Sequence, residues 1–175
     1  MTEFTKSELR FSESIFQKQR ALRLFLIESE LRTDIDPVAW FHFLNGIKSV
    51  LGNLNNDIAF VATLLIKNYL KERFAIIDFD AGNKAQGAPG IDIEAKTPDG
   101  KIIVGELKTT KPYQPGFGAA QKTSILKDMN RLASTEADFR LMFVTDAGAH
   151  QALTTGQFKQ KFQSVEIVNL IKIAN

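Results

Sequence analysis

Two strand-forming runs joined by a tight turn constrain this chain most. They read Ile91-Asp92-Ile93-Glu94-Ala95-Lys96, then Thr97-Pro98-Asp99-Gly100, then Lys101-Ile102-Ile103-Val104-Gly105-Glu106-Leu107-Lys108-Thr109. Proline and glycine fall where a hairpin turn accepts them, so the runs are expected to pair as neighbours. Successive side chains on a strand alternate between faces. Glu106 and Lys108 therefore share a face, Leu107 turns the other way into apolar surroundings, and pairing brings Asp92 beside them. Two carboxylates converging on one point offer oxygen ligands to a hard divalent cation. An ammonium group beside them can hold or deprotonate an attacking water. Such a set suits metal-assisted hydrolysis of a phosphodiester.

The hairpin sits in an ordered succession of elements. Residues 5–31 place Phe11, Ile15, Leu22 and Leu26 at helical intervals among charges, which predicts a long amphipathic helix. Asp36-Pro37 starts a second helix, since the acid caps free amides and proline is tolerated in a first turn. Trp40, Phe43, Leu44, Ile47, Val50 and Leu51 keep its rhythm until Gly52 and Asn53 interrupt. The cluster Asn55-Asn56-Asp57 is expected to cap a third helix, running to about Leu70, apolar nearly all round and hence buried. A strand is expected over 74–79, a glycine-rich loop over 81–90, and strands over 91–96 and 101–109. A second loop (111–118), a helix (119–133), a buried strand (139–145), a helix (149–162) and a last strand (165–173) complete the chain.

The motif and this order together resemble the PD-(D/E)xK nuclease superfamily. Pro89-Gly90-Ile91-Asp92 is a loosened form of its leading Pro-Asp, with the proline placed earlier, while Glu106-Leu107-Lys108 fits the (D/E)xK half without departure. The flanking Gly105-Glu106-Leu107-Lys108-Thr109-Thr110, and Phe117-Gly118-Ala119-Ala120-Gln121-Lys122 onward to Asp128, look most like type II restriction endonucleases. The resemblance covers roughly residues 54–173. It implies an α/β fold with a restriction-endonuclease-like αβββαβ core and a mixed sheet, preceded by N-terminal helices. Residues 1–175 are expected to form a single domain, with 1–53 its helical part and 54–175 the nuclease core.

The activity so implied is divalent-metal-dependent endonucleolytic cleavage of DNA. Asp92 and Glu106 are expected to hold Mg2+, with Mn2+ able to substitute, and the resemblance adds the backbone carbonyl of Leu107. Lys108 is assigned to positioning and electrostatic stabilisation. General-base duty stays open, because an ordinary lysine is too basic unless a nearby cation depresses its pKa. Glu94, on the face of Asp92, is either a third carboxylate or a surface charge. Many members of the superfamily also use an acid from the helix before the strands. Asp57 and Glu72 are the candidates, otherwise a helix cap and a surface residue. Gln121 and Lys122 open the helix after the motif, where related nucleases aim a glutamine or lysine at the metal and where free amides can meet a phosphate. The alternatives are a nuclease selective for junctions or flaps, and a DNA-binding module that keeps the fold without turnover.

Composition narrows the remainder. With no cysteine there is no disulfide framework, thiolate zinc site or cysteine nucleophile. The two histidines, His42 and His150, lie too far apart in sequence for a histidine-rich metal site. A chain 44% hydrophobic and 24% charged is globular rather than disordered. The net charge of +2 says little alone, but Lys101, Lys108, Lys111, Lys122 and Lys127 crowd the stretch around the motif. They can neutralise phosphates. Lys84 and Lys111, on the two glycine-bearing loops, are expected to act as jaws around double-stranded DNA, with Lys122 nearby. No apolar run of membrane-spanning length and no signal-peptide pattern is expected, which points to a cytoplasmic protein without membrane contact. Cutting both strands needs two active sites, so a homodimer joined through the N-terminal helix is expected.

Overall fold

The hairpin forms as its turn chemistry dictates. In the computed structural model, which describes residues 3–29, 36–83, 90–112 and 117–173, strand β1 (Ile93–Lys96) pairs antiparallel with β2 (Ile102–Lys108), Ile93 opposite Gly105. At the turn Thr97 N–H donates to the Lys101 carbonyl, and Gly100 N–H donates to the Thr97 carbonyl, both at 2.9 Å. Gly100 sits at φ 85°, a left-handed conformation that costs glycine little.

Two further strands extend the sheet. β3 (Phe139–Val144) lies parallel to β2, and β4 (Glu166–Asn169) parallel to β3, giving the order β1-β2-β3-β4. Parallel neighbours need crossovers. Helix α4 (Ala119–Ser134) carries the chain from β2 to β3, and the short helices α5 (Ala147–Thr154) and α6 (Gly156–Lys161) carry it from β3 to β4. Alternate strand residues feed opposite cores. Val104, Met142 and Val144 pack with Ile125, Met129 and Leu132 of α4, while Ile103, Leu141 and Phe143 pack against α3 (Leu54–Phe74) through Ile66, Tyr69 and Leu70. The protein is thus mixed α/β with a four-stranded mixed sheet between helices.

Four expectations need correction. The strand at 74–79 does not pair. Phe74 ends α3, Ala75 turns left-handed at φ 57°, and Ala75 and Ile76 donate back to the carbonyls of Lys71 and Leu70. Ile76 is then buried in the α3-side core, but Ile77 is 78% exposed, so the strand-forming residues cover the sheet without joining it. The helix expected at 149–162 is broken at Thr155, and the last strand stops at Asn169, where α7 (Leu170–Ile173) begins. Asn53, not the 55–57 cluster, caps α3, its side chain accepting from Asn56 N–H.

The N-terminal helices divide into a tied and an untied part. α1 (Lys6–Glu28) opens on a capping box between Thr5 and Glu8. Glu8 is fully buried and receives Lys67 Nζ of α3 at 2.9 and 2.7 Å, and Ala81 N–H at 2.9 Å. Thr5 and Ser7 donate to Asp80, so the start of α1 clips residues 80–82 to α3. Burial pushes the Asp80 carboxyl up, but the bonds from Ser7, Gly82 N–H and Thr5 outweigh it and hold it below the usual carboxylate range. By contrast α2 (Pro37–Leu51), capped by Asp36 as expected, buries none of its residues. It leans on α1 through Phe43 stacked on Phe25. The absence of a membrane-length apolar run is also corrected: Pro37–Phe74 contains an 18-residue window apolar enough to cross a bilayer. Gly52 and Asn53 split that stretch into two helices, of which α3 packs on the sheet.

Candidate metal and active site

Register brings the motif acids together. Where β1 parts from β2, the Asp92 carboxylate accepts the Leu107 N–H at 3.1 Å, ending the ladder with a side chain. That bond seats Asp92 beside Glu106, whose carboxyl points from the opposite side of the strand relative to Leu107. Leu107 packs at the margin of the α3-side core, as alternation requires. Glu106 is 1% exposed. Burial pushes its carboxyl up, Arg131 pulls it down, and the neighbouring Asp92 carboxylate pushes it up again, leaving it at about 7. Two acids that crowd each other in this way are a pair that positive charge would relieve.

Two residues that sequence reasoning missed complete the setting, both on α4. Arg131 donates through Nε to Glu106 Oε1 at 2.9 Å, with Nη2 at 2.8 Å from the same oxygen. Its Nη2 also donates to Asp128 Oδ1 at 2.8 Å. The other Asp128 oxygen meets Lys108 Nζ at 2.5 Å, an ion pair whose angles do not make a hydrogen bond. The run is therefore Asp92, Glu106, Arg131, Asp128, Lys108. A signal for it existed: Asp128 and Arg131 lie among Ile125, Met129 and Leu132, the inward positions of α4, and inward charges require partners.

The other expected site residues scatter. Glu94 lines a cleft of about 610 Å³ between β1 and residues 76–83, together with Asp92, Asp78, Asp80, Leu107 and Thr109. Glu106 and Lys108 look the other way, toward α4. Among the described residues no third acid or histidine joins Asp92 and Glu106 in a metal-binding group. Asp57 pairs with Lys18 of α1 at 2.6 Å, and Glu72 is exposed near the end of α3. Gln121 accepts from Gly118 N–H at 3.3 Å and donates to the Lys111 carbonyl at 2.8 Å, which pins the loop to the start of α4. Lys111 is exposed and Lys122 half-buried in the first turn of α4. Lys84 and Pro89 lie outside the described residues.

The donor set fits a hard divalent ion. Mg2+ is commonly held by one or two carboxylates with water and substrate phosphate oxygens filling the other positions, so Asp92, Glu106 and the Leu107 carbonyl are sufficient in kind. Comparisons with protein-family models, curated proteins and solved structures found no match to this chain.

Proposed function

We propose that the chain is a divalent-metal-dependent endodeoxyribonuclease built on a restriction-endonuclease-like core. One observation carries the reading: a buried Glu106 carboxyl on a hairpin, beside the half-buried Asp92 and pushed up to about 7 by burial first and by Asp92 second, with Lys108 two residues along the same strand face. The order around it, helix, hairpin, helix and parallel strand, supports the fold assignment, although the strand expected at 74–79 is not paired. When bound at this pair, Mg2+ supplies Lewis-acid activation of a phosphate oxygen and of water. Asp92 and Glu106 provide its anionic ligands and the Leu107 carbonyl a neutral one. Lys108 holds positive charge beside them, paired with Asp128 at 2.5 Å. Its role is to orient the water and offset charge on the phosphate.

The substrate in this reading is double-stranded DNA, and the working unit is a homodimer. α2 and the outer side of α1 support the second point: Phe41 is 65% and Ile27 70% exposed, with Val38, Trp40 and Leu44 alongside on α2. Contiguous apolar surface of that kind marks an interaction site. A second copy seated there would pair two active sites.

A non-catalytic DNA-binding module has an observation of its own. Glu106 is already neutralised by Arg131, and Lys108 by Asp128, an arrangement that a purely structural ion network also makes. Incubating the protein with supercoiled plasmid, linear duplex and a four-way junction, each with and without Mg2+, separates the readings. The proposal expects Mg2+-dependent cutting of plasmid and linear duplex. Cutting of the junction alone would favour the structure-selective nuclease, and binding without cutting the module.

A further inference from the structure

Arg131 stands where a cation is wanted. Its Nε and Nη2 converge on one oxygen of Glu106, at 2.9 and 2.8 Å, while Nη2 also reaches Asp128 Oδ1 at 2.8 Å. Glu106 is 1% and Asp128 6% exposed, so solvent ions do little to neutralise either carboxylate. The second Asp128 oxygen is buried without a hydrogen bond and faces Lys108 Nζ at 2.5 Å. From this geometry we infer that Arg131 is a resident cation that keeps the Asp92–Glu106 pair closed to divalent metal. Asp128 is then the positioning residue that retains the guanidinium when Glu106 turns to a metal ion. The inference rests on reading that pair as a metal site.

Charge and covalent layout both lead there. A guanidinium keeps its proton across the accessible pH range, so it yields Glu106 by moving and not by neutralising. Sharing one oxygen between it and a divalent ion sets like charges a few ångströms apart in a poorly screened site. α4 offers a pivot: Asp128 and Arg131 are a helical turn apart, and the Nη2 contact to Asp128 does not depend on the Nε contact to Glu106. Arg131 can release Glu106 and remain anchored. Asp128 meanwhile keeps Lys108 aimed at the same point.

Titration of the metal-free protein with Mn2+ alone at pH 8, followed calorimetrically, tests this without any cleavage. Arg131→Gln should bind Mn2+ at least about tenfold more tightly than the wild type, because loss of a nearby unit charge acts twice as strongly on a divalent ion as on a competing proton. Arg131→Lys, which keeps the charge, should stay close to wild type, and Glu106→Gln should abolish the gain. A folded Arg131→Gln protein with unchanged, weaker or absent Mn2+ binding overturns the inference. Should that variant not fold, Asp128→Asn takes its place: with Arg131 left to Glu106 alone, Mn2+ binding should weaken severalfold, and unchanged or tighter binding overturns the inference. Cleavage is scored separately. A wild type inert on DNA with this Mn2+ pattern intact removes the nuclease reading alone; an active wild type without the pattern removes only the role of Arg131.

Discussion

Glu106 is the residue on which chemistry and stability meet. Its carboxyl ionises near 7 in the folded chain against an ordinary 4.5, chiefly because it is buried, with Asp92 adding to the shift and Arg131 opposing it. Below about pH 4.5 it is protonated folded and unfolded alike and contributes nothing to pH dependence. Between 4.5 and 7 the unfolded chain ionises and the folded one does not, so stability falls as pH rises, and above 7 the loss is complete. At about 1.4 kcal/mol per tenfold change in proton affinity, the loss is about 3 kcal/mol. Urea denaturation of metal-free protein at pH 5 and pH 8 should therefore show a fall in the wild type that Glu106→Gln lacks. Identical pH dependence in the two proteins would contradict the burial and crowding described for Glu106. Asp92→Asn should narrow the fall, since it removes one of the two causes.

At the scale of elements, the tie between α1 and α3 is the sharpest prediction. Glu8→Ala leaves the Lys67 ammonium buried without its carboxylate, and losing one partner of a buried pair costs about 3–5 kcal/mol. Replacing both, Glu8→Leu with Lys67→Met, should cost far less, and chemical denaturation of the two variants distinguishes them. The tie also marks what sequence could and could not say. Local signals worked where local chemistry decides: Asp36-Pro37 starting α2, Pro98 and Gly100 turning the hairpin, and strand alternation placing Glu106 with Lys108. They failed where distant packing decides. Residues 74–79 have strand composition, but whether they pair depends on how α3 ends, and Ala75 adopts the left-handed cap without the glycine that usually announces it. Asp128 and Arg131 were readable only by asking what inward charges on a helix would meet. Glu8 and Lys67, 59 residues apart, have no local signature at all.

For the whole molecule, the uncovered face of α1 and α2 and the carboxylate pair belong to one account. If a second copy covers that face, Phe41→Glu with Leu44→Glu should turn a dimer into a monomer in sedimentation while leaving the α3-to-β4 body folded. A wild type that sediments as a monomer would remove the dimer. Lys108→Ala should lose cleavage yet keep DNA affinity, with the salt slope of binding lowered by about one, because a single lysine releases about one counterion. Normal cutting by that variant would remove Lys108 from the chemistry. If Asp92 and Glu106 hold a catalytic divalent ion, supercoiled-plasmid cleavage by wild type and Glu106→Gln across an Mg2+ titration will report it. Wild-type cutting should rise with Mg2+ and vanish with a chelator, and the variant should be at least about a hundredfold slower though still folded. Equal cutting by the two proteins, or no cutting by the wild type at any Mg2+ concentration, would contradict it.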